Sequence, residues 1–405
     1  MNIRQLLYES SPQPESTPVD RILVCGRRRS RRHRALAVSV GVVGLAVAAV
    51  IVNVSATTPG RVLVEQEPGA GTQRSGTTPT SGNAGQGVPA RAARSIPTRD
   101  ITNIPLPASG GYTAVIATNN GAWILGTNLH FVDQRTGRVS ATLNITGLGL
   151  AYSGSSIWIL GESDLSGGPL TLTEVDPSSL KVQFRVAVQG SHAYGNTNPR
   201  PRVVVADGSV WVSEGDRTLV DVDPRSGRQV ARVSLPSAPG ALAADGRAVW
   251  AISYGGTTLM RVDTRTRLVT TVDNLGSGFA QTLAAEEAVV WTTRFGSEPS
   301  SNRVAQDLVR TIGGRSVFTH LPTAFVAAGN HQVWFLGYQL SSQARSPAND
   351  PGLLGQIDPT TLRVEREAHL DLRAQDTVDL AVGGDTIWVL DMTRDAVIRV
   401  KTSGK

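Results

Sequence analysis

Seven tryptophans that recur in one strand motif, tight-turn signals beside them and one uncharged apolar stretch near the N-terminus predict the fold class. It is all-β, a seven-bladed β-propeller of four-stranded blades preceded by one transmembrane helix. The chain has 405 residues, of which 40% are hydrophobic, 18% are charged and 42 are glycine. This composition is sufficient for a packed core and excludes disorder of the whole chain.

The tryptophans mark internal repeats, at spacings of 35, 53, 39, 41, 43 and 54 residues. They are Trp123, Trp158, Trp211, Trp250, Trp291, Trp334 and Trp388. A turn such as Ala206-Asp207-Gly208 precedes the motif, and an alternating segment that ends in Val-Asp, such as Val222-Asp223, follows it. Asp-Gly pairs favour hairpin turns because they accept positive φ angles. Each repeat therefore predicts four short strands, A to D, with the tryptophan on strand B as a wedge between neighbouring blades.

The repeat length and the order of the strands predict a closed ring. Residues 94–405 number 312, so seven repeats average about 45 residues, the size of one four-stranded blade. The seventh repeat supplies strands A to C, and Asp100–Pro107 resembles the end of strand D in the third repeat. We predict that residues 99–106 supply the outer strand of the last blade, which would remove an exposed strand edge and lock the ring.

The apolar stretch Ala35–Val54 holds 20 uncharged residues, enough for a helix to span a hydrocarbon core of about 30 Å. Six arginines lie within Arg27–Arg34, and this positive flank predicts a cytoplasmic N-terminus. We expect residues 1–34 to be a cytoplasmic tail, the apolar stretch a lipid-facing membrane helix, 55–93 a flexible linker, and 94–405 a propeller outside the cytoplasm. The alternative is a cleaved export signal, although its apolar region is usually about 7–15 residues long.

The basic character belongs to the N-terminal tail. The chain holds 39 Lys and Arg against 33 Asp and Glu, a net charge of +6. Residues 1–56 contribute 8 − 3 = +5 of this charge, so the remainder is nearly neutral. A neutral propeller has no electrostatic footprint for nucleic acid. The single cysteine, Cys25, excludes an intramolecular disulfide and a cysteine-rich zinc site.

The repeat pattern DG-x-V-W-V, L-x-x-V-D-P-x-x-G-x-V and V-x-L-P resembles the YncE-like and virginiamycin-B-lyase-like seven-bladed propellers across residues 94–405. The resemblance is specific for the fold and implies no particular activity. In the lyases, metal-dependent chemistry uses His and Glu side chains over the channel. The segment Val19–Leu23 before the Arg run resembles the cytosolic heads of actinobacterial single-pass membrane proteins.

Long insertions are expected on the propeller face that carries the B–C and D–A connections, and binding loops concentrate on such a face. The insertions are residues 162–169, 189–202, 296–304 and 338–352. Polar residues at this rim are the candidate ligand-binding residues: Glu162, Asp164, His192, Tyr194, Asn196, Glu214, Tyr254, Arg294, Tyr338 and Asp391. They indicate a shallow polar pocket over the central channel, with a hydrated loop surface as the alternative.

The sequence therefore predicts a membrane-anchored binding or scaffolding module for a protein, a peptide or a cell-envelope glycan, without a cofactor or a metal ion. The alternatives are a lyase or hydrolase on the same face, and a signalling receptor with residues 1–26 as its output. An enzyme is disfavoured because His192 is the one histidine expected on the insertion face. The sequence also lacks Gly-x-Ser-x-Gly and His-Glu-x-x-His motifs.

Overall fold

The chain folds into a seven-bladed β-propeller, as the repeats predict. A computed structural model describes residues 92–108, 111–162, 169–188, 201–276, 278–297, 304–319, 321, 323–338, 352–372 and 378–402. Across these residues there are seven sheets, each with four antiparallel strands, and one sheet has an added fifth strand. The strands pair in chain order, except that the last sheet takes its outer strand from the N-terminal side of the propeller. The innermost strand of every blade contacts the innermost strands of both neighbours, and the first and seventh blades are neighbours. The ring is therefore closed.

The described ranges contain no helix long and apolar enough to cross a membrane. The predicted tail, the predicted membrane helix at residues 35–54 and the linker up to residue 91 lie outside those ranges.

Strands β1 (Arg94–Ser95) and β2 (Ile101–Pro105) precede the first blade. Blade 1 consists of β3 (Ala114–Thr118), β4 (Gly121–Leu125), β5 (Leu129–Asp133) and β6 (Arg138–Leu143), and blade 2 of β7 (Gly149–Tyr152), β8 (Ile157–Glu162), β9 (Leu170–Asp176) and β10 (Lys181–Ala187). Blade 3 consists of β11 (Arg202–Ala206), β12 (Ser209–Ser213), β13 (Thr218–Val222) and β14 (Gln229–Ser234). Blade 4 consists of β15 (Pro239–Ala244), β16 (Ala248–Ser253), β17 (Thr258–Asp263) and β18 (Val269–Asn274). Blade 5 consists of β19 (Phe279–Glu286), β20 (Val289–Ser297), β21 (Val304–Ile312) and β22 (Arg315–Thr319). Blade 6 consists of β23 (Phe325–Gly329), β24 (Gln332–Tyr338), β25 (Gly352–Ile357) and β26 (Val364–Leu370), and blade 7 begins with β27 (Val378–Gly383), β28 (Thr386–Asp391) and β29 (Ala396–Lys401).

The second strand of each blade carries the tryptophan, and all seven indoles are at most 5% exposed. Neighbouring blades cover both faces of this strand, which is why its sequence is apolar without alternation. Trp211 of blade 3 packs in one cluster with Val249 and Met260 of blade 4. Trp291 of blade 5 packs with Phe335 of blade 6 in the same manner. The predicted role of the tryptophans as wedges between blades is confirmed.

The N-terminal segment closes the ring. Strand β2 pairs antiparallel with β29, from Ile101 opposite Val400 to Pro105 opposite Ala396, which confirms the predicted outer strand of blade 7. The structure adds a feature that the sequence did not predict: β1 pairs with β26 as a parallel fifth strand of blade 6. Between the two strands, Ile96 is buried in a core cluster shared by blades 6 and 7. Residues 94–105 therefore connect these two blades.

The residue on strand C that lies opposite the tryptophan differs between blades, and at three of the described junctions it adds a second contact between neighbouring blades. In chain order these residues are Phe131, Glu174, Asp221, Arg261, Arg310, Gln356 and Arg399. Asp221 accepts a hydrogen bond at 3.0 Å from Arg267, in the C–D turn of the next blade. Arg310 donates a hydrogen bond to the carbonyl oxygen of Pro359, in the C–D turn of blade 6. Arg399 donates one to the carbonyl oxygen of Gln134, in the C–D turn of blade 1. Each of these polar contacts joins strand C of one blade to the C–D turn of the next blade.

An aspartate at the end of strand C, or directly after it, stabilises the following turn in five blades. Its carboxylate accepts hydrogen bonds from the hydroxyl and backbone N–H groups of residues two or three positions later, and these bonds lower its pKa. The residues are Asp133, Asp176, Asp223, Asp263 and Asp358. Asp176 accepts hydrogen bonds from the hydroxyl groups of Ser178 and Ser179, both at 2.7 Å, and these hold its pKa at about 2.

We expect these turns to make the propeller sensitive to acid. A carboxylate whose pKa is lowered by folding stabilises the fold above its unfolded pKa of about 3.9, and this contribution is lost as the pH falls through the folded value. Asp176→Asn should therefore lower the melting temperature at pH 7, and the difference from the wild type should disappear as the pH approaches the Asp176 pKa of about 2. Asp371→Asn, at a fully exposed side chain, is the control. A difference that stays constant across this range would contradict the assignment.

Candidate functional site

The mouth of the central channel holds a cavity of about 660 Å³. It opens on the face that carries the B–C and D–A connections, where the sequence placed the binding rim. The innermost strands of blades 3 to 7 form its wall, together with Tyr254 after strand B of blade 4 and Met392 after strand B of blade 7. The cavity is therefore built from several blades rather than from one insertion loop.

Two charged side chains of the innermost strands line this cavity, and sequence reasoning missed both. Arg202 begins β11 of blade 3, and Asp379 is the second residue of β27 of blade 7. A signal for them exists in the sequence. The innermost strands consist largely of small apolar residues, as in Ala114–Thr118 and Phe325–Gly329, and a charge near the start of such a strand departs from the repeat.

The Asp379 carboxylate accepts hydrogen bonds from two backbone groups. Its Oδ2 atom accepts a hydrogen bond from the N–H of Val115 in blade 1 at 2.9 Å, and its Oδ1 atom accepts one from the N–H of Leu380 at 3.0 Å. Burial among protein atoms raises the pKa of Asp379, although these two hydrogen bonds and the charge of Arg202 act in the opposite direction. The positive charge of Arg202 is therefore close enough to act on the Asp379 carboxylate.

A β-bulge places a polar side chain at the same mouth. The pairing of β19 with β20 shifts between Ala280 and Leu283, so Gln281 and Thr282 stand outside the regular ladder. Two buried side chains hold this irregular backbone: the Thr292 hydroxyl donates to the carbonyl oxygen of Thr282 at 2.7 Å, and the N–H of Thr282 donates to the Thr293 hydroxyl at 3.3 Å. Bulges redirect side chains next to binding sites, and here Gln281 lines the cavity.

Three aromatic side chains line the wall between the two charges. In blade order they are Tyr254, Phe279 and Phe325, from blades 4, 5 and 6, whereas Arg202 and Asp379 come from blades 3 and 7. The side chains of Tyr254 and Phe279 are 49% and 41% exposed. Exposed aromatic groups that gather at one concave site favour a bound partner, because burial of their surface is favourable. The mouth therefore offers opposite charges on two sides and apolar surface between them.

Most of the described rim candidates contact groups within their own blade. Glu214 is buried, and its carboxylate pairs with Arg232 of the same blade, with Oε1 at 3.1 Å from the guanidinium. Burial raises the pKa of Glu214, and Arg232 opposes this shift. Arg294 pairs with Asp307 on the neighbouring strand at 3.2 Å and lies over the ring of Phe318 at 5.2 Å. These polar groups stabilise strand pairs on the rim.

The remaining candidates are distributed along the same rim. Tyr338 ends β24 and is buried, and Asp391 ends β28, where its Oδ1 atom accepts hydrogen bonds from the N–H groups of Thr393 and Arg394, both at 3.0 Å. Tyr254 is the described candidate that lines the channel cavity. The side chain of Glu162 and the residues Asp164, His192, Tyr194 and Asn196 lie outside what the structure describes. Among the described residues, no three His, Cys, Asp or Glu side chains are grouped so that they could hold a metal ion.

The pairing of Glu214 can be tested by removal of its partner. Arg232→Ala leaves a buried carboxylate without its guanidinium, and we expect the free energy of unfolding to fall by about 1–3 kcal/mol in chemical denaturation. Glu214→Gln in the Arg232→Ala background should recover part of this loss, because a neutral amide needs no cation. Arg228→Ala, at an exposed arginine of the same blade, is the control. An unchanged stability of Arg232→Ala would mean that Glu214 does not depend on this pair.

Comparison with known proteins identifies the fold of this chain and no family. No protein-family model and no curated protein sequence matches the chain. Among solved structures, the RRP9 WD40 repeats match with a TM-score of 0.55 and 10% identity over 76% of this chain and 99% of that chain. The Neurospora crassa Pan2 WD40 domain matches with a TM-score of 0.54 and 11% identity over 77% of this chain and 98% of that chain. Kuenenia stuttgartiensis hydrazine synthase matches with a TM-score of 0.53 and 11% identity over 78% of this chain and 99% of that chain. The chain therefore shares the β-propeller fold of WD40 structures.

Proposed function

We propose that the chain is a membrane-anchored, extracytoplasmic binding module that takes a peptide, or a peptide-bearing cell-envelope ligand, at the mouth of the propeller channel. The observation that carries this proposal is the arrangement of Arg202 and Asp379 on opposite sides of an aromatic wall. We also propose that the propeller is related to the YncE-like and virginiamycin-B-lyase-like propellers, which its repeat resembles.

The chemistry of the mouth favours a ligand that carries both charges. A carboxylate such as Asp379 forms charge-assisted hydrogen bonds with an ammonium group, and the guanidinium of Arg202 does so with a carboxylate. The aromatic side chains between them contact apolar groups and also attract cations. The cavity of about 660 Å³ falls within the range of about 300–1,000 Å³ that is usual for ligand pockets. A short peptide, or one end of a longer peptide, combines these features.

The sequence of the N-terminal region supports the location. Residues 35–54 are apolar and uncharged, and the Arg run before them favours retention of the N-terminus in the cytoplasm. Residues 55–93 would then separate the propeller from the membrane. A rigid scaffold on a flexible tether suits a protein that captures ligands outside the cell membrane.

The proposed topology can be tested with the single cysteine of the chain, Cys25. In intact bacterial cells that express the full chain, a membrane-impermeant maleimide should leave Cys25 unlabelled and should label it after lysis. A second variant, Cys25→Ser with Ser155→Cys, places the thiol in an exposed turn of blade 2 and should be labelled in intact cells. Labelling of Cys25 before lysis, or a released protein that lacks Cys25, would contradict the anchored topology.

The ligand class can be tested by titration of the full chain with tri-alanine. We expect Asp379→Asn to weaken binding by roughly tenfold or more, because a hydrogen bond to a charged group contributes about 1.5–3 kcal/mol. Wild-type affinity should also fall as the pH falls through the raised pKa of Asp379, since the protonated carboxyl no longer attracts an ammonium group. The Asp379→Asn variant should lack this pH dependence.

Two controls make this titration decisive. N-acetyl-tri-alanine has no ammonium group, so it should bind wild-type protein more weakly and should be insensitive to Asp379→Asn. Asp371→Asn, which changes a fully exposed carboxylate, should bind tri-alanine like the wild type. If the acetylated peptide binds as tightly as the free peptide, Asp379 does not recognise an ammonium group and the proposed ligand class is wrong.

A further inference from the structure

A second and larger cavity, of about 1270 Å³, lies on the opposite face of the propeller, among the A–B and C–D turns. It begins between blades 1 and 2, where Trp123, Phe131 and Tyr152 line it. It continues to the A–B turns of blades 6 and 7, at Asn330 and Asp385. We call this cavity the turn-face groove. It shares no lining residue with the channel mouth.

Blade 1 departs from the repeat at this groove. The strand-C residue opposite the tryptophan is polar in six blades, and three of these residues contact the C–D turn of the next blade. In blade 1 the position is occupied by Phe131, which cannot form such a contact. Its ring lies 4.7 Å from the ring of Trp123, and both pack in one cluster with Tyr152 and Leu180 of blade 2. The junction of blades 1 and 2 is therefore aromatic and apolar at the position where three other junctions carry a polar contact.

Amide side chains form the polar part of the groove. Asn119 and Asn120 lie in the A–B turn of blade 1 and Asn330 lies in that of blade 6, and all three are exposed. In the part of the chain that the structure describes, these amide side chains form no intramolecular hydrogen bond. Each amide can both donate and accept hydrogen bonds, so all three are available to a ligand.

The charges of the groove cancel. Its ionised residues are Asp133, Asp385, Arg135 and Lys401, two of each sign. Both carboxylates are also engaged within the protein: Asp133 accepts a hydrogen bond from the N–H of Thr136 at 2.6 Å, and Asp385 accepts one from the Gln134 side chain at 2.7 Å. A neutral groove gives no electrostatic advantage to an anionic polymer or to a strongly charged peptide.

We propose that the turn-face groove binds a neutral oligosaccharide. A sugar ring presents a face of C–H groups that packs against aromatic side chains, and Phe131 and Tyr152 supply that surface. Its hydroxyl groups each donate and accept hydrogen bonds, as do the amides of Asn119, Asn120 and Asn330. The cavity exceeds the volume of about 300–1,000 Å³ that is usual for a small-molecule pocket, which fits a chain of several sugar units.

The test uses the full chain and a defined set of probes. Maltohexaose, cellohexaose and mannohexaose are the neutral probes, a hyaluronan hexasaccharide is the anionic probe, and deca-proline tests an extended peptide that could occupy an aromatic groove. We expect at least one neutral hexasaccharide to bind in calorimetric titration and the other two classes not to bind. Failure of all three neutral probes, or binding of the anionic sugar or deca-proline in their place, would overturn the proposal.

Two variants locate the binding site. Phe131→Arg installs the residue type found at this position in blades 4, 5 and 7, and it should weaken oligosaccharide binding by about tenfold or more. The double variant Asn119→Ala and Asn120→Ala changes exposed turn residues and should weaken binding without a change in melting temperature. Gln229→Ala in blade 3 and Asp379→Asn at the channel mouth should bind like the wild type. Unchanged affinity in both groove variants would place the sugar elsewhere and overturn the proposal.

Discussion

The packing of one tryptophan between each pair of neighbouring blades is the interaction on which the rest of the structure depends. A single four-stranded blade has two faces and cannot bury both of them alone, so each blade requires its neighbours. The indole on strand B fills the space where two sheets diverge from the channel, and its burial removes a large apolar surface from water. Because the wedges are equivalent, they set one repeated geometry. Any asymmetry that supports function must then arise from the residues around them.

The structure places that asymmetry at the two ends of the channel. On one face, charges from blades 3 and 7 and a bulge in blade 5 interrupt innermost strands that are otherwise small and apolar. On the other face, one phenylalanine occupies the position at which three other blades form a polar contact with the next blade. Both sites consist of departures from the repeat, and both are held by backbone that the repeat makes rigid. A repeated scaffold can thus change its ligand chemistry at a few positions without loss of the common core.

The sequence predicted the features that rest on a repeated motif. It could not predict contacts between strands that are distant in sequence and meet only in the closed ring. The tryptophan motif predicted the number of blades, and the likeness of residues 99–106 to another strand D predicted the closure. Strand β1 could not be predicted, because Arg94-Ser95 carries no apolar pattern and pairs with a strand distant in sequence. Asp379 depends on the N–H of Val115, which only the closed ring brings near. Glu214 looks like an exposed rim residue in the sequence, and its partner Arg232 becomes evident only when strands B and D of the blade are placed together.

The path of the chain into the propeller has a mechanical consequence. Residues ahead of position 94 lead first to β1, then to the buried Ile96, and only afterwards to β2, the strand that closes blade 7. Tension that arrives along the chain from its N-terminal side must therefore detach two residue pairs and extract one isoleucine before it reaches the closing strand. A pull from the N-terminal side would therefore break these few contacts first, and it would act on the closing strand of the ring only afterwards.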